Sequence, residues 1–580
     1  MQSRPHGRRA RACRLLAAAL SLAALLFLST SAPTTRLVAT APLLLPPTTR
    51  LPLRTTLRAV RDTATPKPAA REHRSPPPDV DAVLLPDWEV LVLLRPDGDG
   101  GSGGGGNATC AFQGGASSPA RALGRMPASG RRAYACAMPR RARRRHPFRA
   151  PRLITASSSF SSSSSSAVAA AEEASAARSP EMLRWSGRLV YDAVALGGGG
   201  VLVFARGVNP RQGVNRAASD VRCVYYRPSA GAADVVASLP AATSAQQVFR
   251  CPPPPPQEPA SPELRVTLAV AGEELIPSLA TYSPARHVSP STTQPVRPAP
   301  ESKKKLICAC TMVRDVAKFL REWVVYHAAV GVDRFYLYDN GSEDDMAGQV
   351  RQLSADGFDV STLVWPWPKT QEAGFSHAAA VHRDSCEWMA FIDVDEFIFS
   401  PGWTKSRKPT KSMLRSMVAV EPDIGQVMLG CADFGPSGRT THPKEGVTQG
   451  YTCRRRAKQR HKSLLRLDAV DRSLLNSVHH FDLRTGFRAE WSKQTRVNHY
   501  KYQAWEEFKV KFRRRVSTYV ADWTDPVNPE SKDRTPGLGF EAVEPAGWAN
   551  KFCEVEDAML RDVTRRWFGV GFQKTLARRS

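Results

Sequence analysis

Residues Trp388 to Phe399 read "WMAFIDVDEFIF", an apolar run interrupted by three carboxylates, Asp393, Asp395 and Glu396. Burying unpaired carboxylates is costly enough that such groups neutralise, pair with a cation or bind a metal ion. A buried strand that ends this way needs a positive partner beyond its tip.

Upstream, "LICACTMV" (Leu306 to Val313) is continuously apolar, as a strand covered on both faces requires. Val316, Phe319, Leu320, Trp323, Val324 and the stretch from Tyr326 to Val330 follow at helical spacing and stop at Gly331. Strand "RFYLYD", a polar turn, a short helix, strand "FDVSTLVW", a helix around Ala373 to His382 and strand "WMAFID" complete the series. Such alternation predicts a mostly parallel sheet in an α/β domain. Ligands of these sheets sit beyond the carboxyl ends of the strands. Two strands finish there in acidic turns, "YLYDNGSEDD" at Asp339 and "FIDVDEF" at Asp393 and Asp395, and both tips are expected to face one crevice. Two carboxylates one residue apart offer hard oxygens, which favours Mn²⁺ or Mg²⁺ over Zn²⁺, and that ion would in turn hold a diphosphate.

"ICACTMVRD", "EWVVYHAAVGVDRFYLYDNGSED", "EWMAFIDVDEFIF" and "NHYKYQAWEEFKVKFRR" together resemble the pattern of glycosyltransferase family 92, over roughly Lys303 to Asp522. "CAFQGGASSPARALG", "AYACAMP" and "AQQVFRC" upstream are similar to the plant members described as β-1,4-galactan synthases. The resemblance implies a GT-A, Rossmann-like catalytic fold, UDP-galactose as donor, Mn²⁺ as cofactor and inversion at the anomeric carbon. It also implies a Golgi location, and a β-rich module before the catalytic domain that resembles a carbohydrate-binding module.

Roles follow from that pattern. Asp339 is the expected uridine or ribose contact, with Asn340 shaping its turn. Asp395 binds the metal directly, Asp393 lies against the ribose or a metal-bound water, and Glu396 orients them. His499 in "NHYKY" is the expected imidazole ligand, with His479 and His480 as the alternative source; a plain core histidine is the competing reading. Lys462 in "RHKSLL" and Arg466 are the cations expected near the departing UDP. A carboxylate must take the acceptor's proton, and Asp433 and Glu445 both remain candidates. Trp365 and Trp367 either stack on a sugar or belong to the core, and His377 either approaches the donor or packs.

The formal charge of +27 is uneven: residues 1 to 300 carry a Lys+Arg surplus of 19, and the remainder only 8. Most of the basicity therefore lies in low-complexity sequence, and no groove-reading motif accompanies it, which argues against nucleic acid as a partner. The arginines of residues 1–14 precede the apolar stretch Leu15 to Ala32. That order predicts a signal anchor with the bulk of the chain luminal, a cleaved signal peptide being the alternative. Residues 33–82 read as a disordered stem, 83–288 as a small β-sandwich-like domain with low-complexity insertions, 289–302 as a linker and 303–580 as the catalytic domain. Cys13 falls on the cytosolic side, leaving ten luminal cysteines, and Asn107 begins a glycosylation sequon. The partners expected are a UDP-sugar, the β-1,4-galactan side chains of pectin as polysaccharide acceptor, the membrane and a second copy of the chain. Rival readings are another UDP-sugar, a glycoprotein glycan acceptor, or an inactive glycan-binding scaffold.

Overall fold

A computed structural model describes residues 80–95, 108–154, 179–197, 199–210, 213–228, 234–256, 264–283, 304–457, 459–511 and 544–572, all within the unit His73–Ser580. The proposed tail, anchor and linker and the stem up to residue 79, together with Cys13 and Asn107, lie outside the described residues; residues 80–82, expected in the stem, instead begin the strand Val80–Leu84. Among those residues no helix is long and apolar enough to cross a membrane.

In the catalytic region, strand β1 (Lys305–Val313) serves two cores with alternate side chains. Ile307, Ala309 and Val313 pack against helix α1 (Ala317–Val330), whereas Cys308 and Cys310 face the opposite layer. Helix α1 stops at Gly331, whose φ is 138° and where an added Cβ would stand 2.6 Å from the Lys411 carbonyl oxygen. Only glycine fits that approach. There follow β2 (Arg334–Asp339), α2 (Met346–Ala355), β3 (Val360–Val364), α3 (Gln371–Val381), β4 (Cys386–Phe391) and β5 (Glu396–Phe399). Next come α4 (Ser412–Val418), β6 (Ile424–Asp433), β7 (Gln459–Arg466), β8 (Arg488–His499) and α5 (Met559–Phe568).

These strands form one sheet in the order β3-β2-β1-β4-β7-β6-β8-β5. The first four are parallel, as the alternation of strands and helices predicts. Beyond β4 the sheet is mixed: β7 runs antiparallel to β4 and β6, β8 runs parallel to β6, and β5 is antiparallel to β8. Only Ile392 to Asp395 connect β4 to β5, although three strands stand between them in the sheet. A flat sheet would separate them by about 19 Å, more than a chain this short and bent into a turn can span. The sheet must therefore curl around the acidic turn, so that β6, β7 and β8 enclose it.

Before the catalytic region, residues 80–184 make a seven-stranded sheet and residues 189–282 a four-on-four sandwich. The small β-sandwich expected from sequence corresponds to the second of these, and the first is a separate sheet. The Cys223–Cys251 disulfide ties the two faces of the sandwich together. The sandwich packs on the catalytic region through Tyr191 and Phe204, joined by Trp185 just after the seven-stranded sheet, and these rings meet Trp365 and Trp367. Trp367 Nε1 donates to Asp192 at 3.3 Å and Trp365 Nε1 to Thr370 at 2.9 Å. Both tryptophans are fully buried, so their ring faces go to this seam and not to a sugar. Disulfides Cys110–Cys136, Cys308–Cys386 and Cys453–Cys553 are also formed, while Cys310 and Cys431 are free and buried.

Candidate active site

The turn after β4 is closed by its own carboxylate. Glu396 N donates to the Asp393 carbonyl at 3.0 Å, and Glu396 Oε2 accepts from Asp393 N at 2.9 Å. With Glu396 fully buried, the directions of Asp393 and Asp395 are fixed by backbone as well as by side chain. Tyr500 N adds a bond to the Asp395 carbonyl at 2.9 Å.

Strand register brings in the rest. Glu396 in β5 pairs with His499 in β8, and His499 pairs with Asp433 in β6, so three site residues stand in one row across three strands. Paired residues project to the same face of a sheet. His499 Nδ1 lies 3.1 Å from Asp433 Oδ1 and donates its proton there. Its Nε2 is thereby turned toward Asp395 Oδ2 at 3.4 Å and Glu396 Oε1 at 3.6 Å. The second oxygen of Asp433 accepts from Lys501 Nζ at 3.2 Å. Asp433 is only 1% exposed and both its oxygens are engaged, so it orients His499 and is not placed to receive a proton from an acceptor hydroxyl.

Three ammonium groups answer the carboxylates. Lys462, in β7, sits 2.7 Å from Glu396 Oε1 and 3.5 Å from Asp393 Oδ2. It also donates to His479 Nε2 at 2.5 Å, while His479 Nδ1 donates to the Phe391 carbonyl at 2.8 Å. Lys501 holds Asp433 and Lys511 pairs with Asp395 Oδ2. Gln371 Nε2 reaches Asp393 Oδ1 at 3.2 Å.

Charge and burial compete throughout. Burial works to raise every carboxyl of the cluster, but Lys511 and then His499 outweigh it at Asp395, which falls well below the usual range. Lys462 and His479 likewise bring Asp393 below its ordinary value, whereas Glu396 ends raised. Burial would lower His499, yet Asp395 and Glu396 raise it; burial and Lys462 keep His479 far down and neutral.

The donor set suits a divalent cation. Carboxylate oxygens from Asp393 and Asp395, plus an imidazole whose other nitrogen is held by a carboxylate, match the oxygen-and-nitrogen chemistry of Mn²⁺, with Mg²⁺ served by the oxygens. Among the described residues no three His, Cys, Asp or Glu side chains converge as a ready-made metal site. The ammonium groups of Lys462 and Lys511 stand among the carboxylates.

Other sequence candidates lie elsewhere. Asp339 ends β2 on the same sheet edge as the Asp393 turn, with β1 between them, or about 10 Å for two strand spacings. Its Oδ1 accepts from Ser342 N at 2.8 Å, and it lines a cavity of about 140 Å³ with Arg121, Gly341, Ser342 and Asp344. No described contact joins it to Asp395. Asn340 is buried, and its amide donates to the carbonyls of Trp365 at 2.8 Å and Trp367 at 3.0 Å. It staples the turn, and its nitrogen is open neither to a donor nor to a glycan. His377 is enclosed by Tyr338, Trp365 and Phe204, its Nδ1 2.8 Å from the Tyr338 hydroxyl, and burial lowers its pKa to about 3. It is a core histidine. Glu445 pairs with Arg439 at 2.8 Å, and Arg466 with Asp468 at 2.8 Å; neither has a described contact with the acidic turn. His480 packs its ring, tilted, against His461 and has its Nε2 2.9 Å from the His461 carbonyl; no described contact joins it to the carboxylates that His479 faces. Lys501 and Lys511 escape a reading of the sequence alone, although both lie in "NHYKYQAWEEFKVKFRR" immediately after His499.

Comparison with known proteins places these motifs. The family model for Glycosyltransferase family 92 matches residues 303–535. A glycosyltransferase family 92 protein of Oryza sativa subsp. japonica is 41% identical over 403 residues, which covers 67% of this chain and 67% of that protein. One from Arabidopsis thaliana is 39% identical over 385 residues, covering 64% of this chain and 65% of the relative. One from Ricinus communis is 41% identical over 385 residues, covering 65% and 68%. Among solved structures, the chain is similar to a mannosyltransferase from Pyrobaculum calidifontis in complex with GDP-Man and Mn²⁺, with TM-score 0.25, 12% identity and coverage of 42% and 71%. It is also similar to glucosyl-3-phosphoglycerate synthase from Mycobacterium tuberculosis in complex with Mn²⁺, UDP and glucosyl-3-phosphoglycerate, with TM-score 0.16, 15% identity and coverage of 29% and 58%. Structural likeness that low carries no weight, whereas the extent and identity of the sequence matches do. The chain is a glycosyltransferase and belongs to glycosyltransferase family 92.

Proposed function

We propose that the protein transfers galactose from UDP-galactose to β-1,4-galactan side chains of pectin, with inversion, in a GT-A-type active site that uses Mn²⁺. The observation that carries the reading is the row Glu396–His499–Asp433, which turns His499 Nε2 onto the Asp395 carboxylate at 3.4 Å. A bound divalent cation supplies positive charge to the diphosphate as its bond to the sugar breaks. Asp393, Asp395 and His499 would hold that ion, Asp433 keeps the imidazole in the tautomer that could bind it, and Glu396 with Lys462 fixes the turn. Asp339, on the same sheet edge, takes the nucleoside end of the donor. Galactose and galactan rest on the resemblance of "CAFQGGASSPARALG", "AYACAMP" and "AQQVFRC" to the plant galactan synthases. The basic segment before the apolar stretch Leu15 to Ala32 supports membrane anchoring with the catalytic region luminal, and the Golgi location rests on the family resemblance.

The test is incubation with a panel of UDP-sugars, Mn²⁺ and a short β-1,4-galactan, followed by linkage analysis of the product. Extension by β-1,4-galactose from UDP-galactose alone is expected. Preferred use of another UDP-sugar, or a galactan left unextended by all of them, would overturn the donor and acceptor assignments.

A further inference from the structure

Lys511 occupies a place that the proposed reaction leaves unused. It lies in a helical stretch of which residues 505–511 are described, pairs with Asp395 Oδ2 and also reaches the Lys501 carbonyl at 3.4 Å. Asp395 Oδ2 is the same oxygen that His499 Nε2 approaches, so it is the oxygen a metal held by these two residues would use. An ammonium and a divalent ion cannot share that position without direct like-charge repulsion.

The three lysines of the cluster are not equivalent. Lys462 has a side chain only 8% exposed and is held by Glu396, Asp393 and His479. Lys501 is committed to Asp433. Lys511 is the most open of them, at 26%, and long enough to swing while its helix stays in place. The charges point the same way. Four carboxylates, Asp393, Asp395, Glu396 and Asp433, face three ammonium groups. With His499 neutral, as a metal ligand must be, a divalent ion turns this deficit of one positive charge into a surplus of one, and leaves Lys511 without its carboxylate. The cluster then complements a diphosphate, and the displaced ammonium is the group nearest to hand to meet it.

We infer that Lys511 and the divalent cation compete for Asp395, and that Lys511, once displaced, binds the diphosphate of the nucleotide donor. This rests on the metal-dependent reading of the site and adds a donor-binding residue to it. Lys511 thereby links the two binding events: it opposes the metal when no nucleotide is bound and favours the nucleotide when metal is bound.

Lys511→Met keeps the length of the side chain and removes its charge. Mn²⁺ binding to the full chain is read by electron paramagnetic resonance without nucleotide, and UDP binding by calorimetry in saturating Mn²⁺. The expected result is Mn²⁺ bound about tenfold more tightly and UDP about tenfold more weakly, with Lys511→Arg close to the unaltered protein in both. Weaker Mn²⁺ binding, or UDP affinity equal to that of the unaltered protein, would overturn the inference. If Lys511→Met does not fold, Lys511→Gln is measured in the same way. Failure of the unaltered protein to bind UDP with Mn²⁺ would instead bring down the functional reading beneath it.

Discussion

Replacing Asp433 with asparagine keeps the outline of the side chain and removes the charge that holds His499 Nδ1 at 3.1 Å and Lys501 Nζ at 3.2 Å. Asparagine offers one carbonyl oxygen to these two donors. If that oxygen stays on His499, its amide group faces the Lys501 ammonium, and one of the two bonds is lost either way. Lys501 is partly open and can turn to solvent, so the favoured outcome keeps the imidazole bond but weakens it. Loss of a partner behind a metal-binding histidine costs about 10- to 100-fold in metal affinity, or about 1.4–2.8 kcal/mol. Asp433→Asn should therefore sit near tenfold. Asp433→Ala, which frees the imidazole altogether, should approach hundredfold. Mn²⁺ titration at fixed UDP, with circular dichroism to show that both variants are folded, measures the difference. Equal Mn²⁺ affinity in the unaltered protein and both variants would refute the idea that Asp433 aims His499.

Two further outcomes test the frame around the site. Burial raises the pKa of Asp192, at the seam with Trp367, from 3.8 to about 6, against the opposing pull of its bonds to Trp367 and Ala193 and of the Arg131 charge. The folded state therefore holds this proton more tightly than the unfolded chain, and stability from this group falls as pH rises from about 4 to about 6. Asp192→Asn should gain on the unaltered protein by up to about 3 kcal/mol across that window, read from paired unfolding curves; a difference independent of pH would contradict it. Asn340→Asp sets carboxylate oxygens against the carbonyls of Trp365 and Trp367 that the amide now serves, and should cost at least about 2 kcal/mol. An unchanged unfolding midpoint would show that the staple contributes little.

The first half of the catalytic region was legible because its signals are local. The run Leu306 to Val313, the helix ending at Gly331 and "RFYLYD" appear in the structure within a residue or so of where the pattern puts them. The acidic turn was legible because three carboxylates in apolar flanks are physically anomalous. What lies beyond β4 was not. The pairing of β8 with β5 joins residues about a hundred positions apart and its pairing with β6 residues about 65 apart, and no local period encodes such a register. For the same reason Asp433 read as a candidate base, when its register neighbour makes it the support of His499. Trp365, Trp367 and His377 were ambiguous because aromatic and imidazole groups serve cores and ligands alike; the sandwich that covers them decides the matter. Lys501 and Lys511 carry no local signal of their own, since lysines in a basic segment usually form a solvated face, and only the fold brings these two to the carboxylates.

The central claim is that the Asp393–Glu396 turn and His499 hold a cation that grips the phosphates of a nucleotide. Calorimetric titration with UDP, with and without Mn²⁺, on the unaltered protein and on Asp395→Ala, tests it most directly. UDP binding should strengthen at least about 100-fold with Mn²⁺ in the unaltered protein, equivalent to about 2.8 kcal/mol, and that gain should vanish in Asp395→Ala while the variant remains folded. UDP affinity that ignores Mn²⁺, or a gain that survives the loss of Asp395, would contradict it.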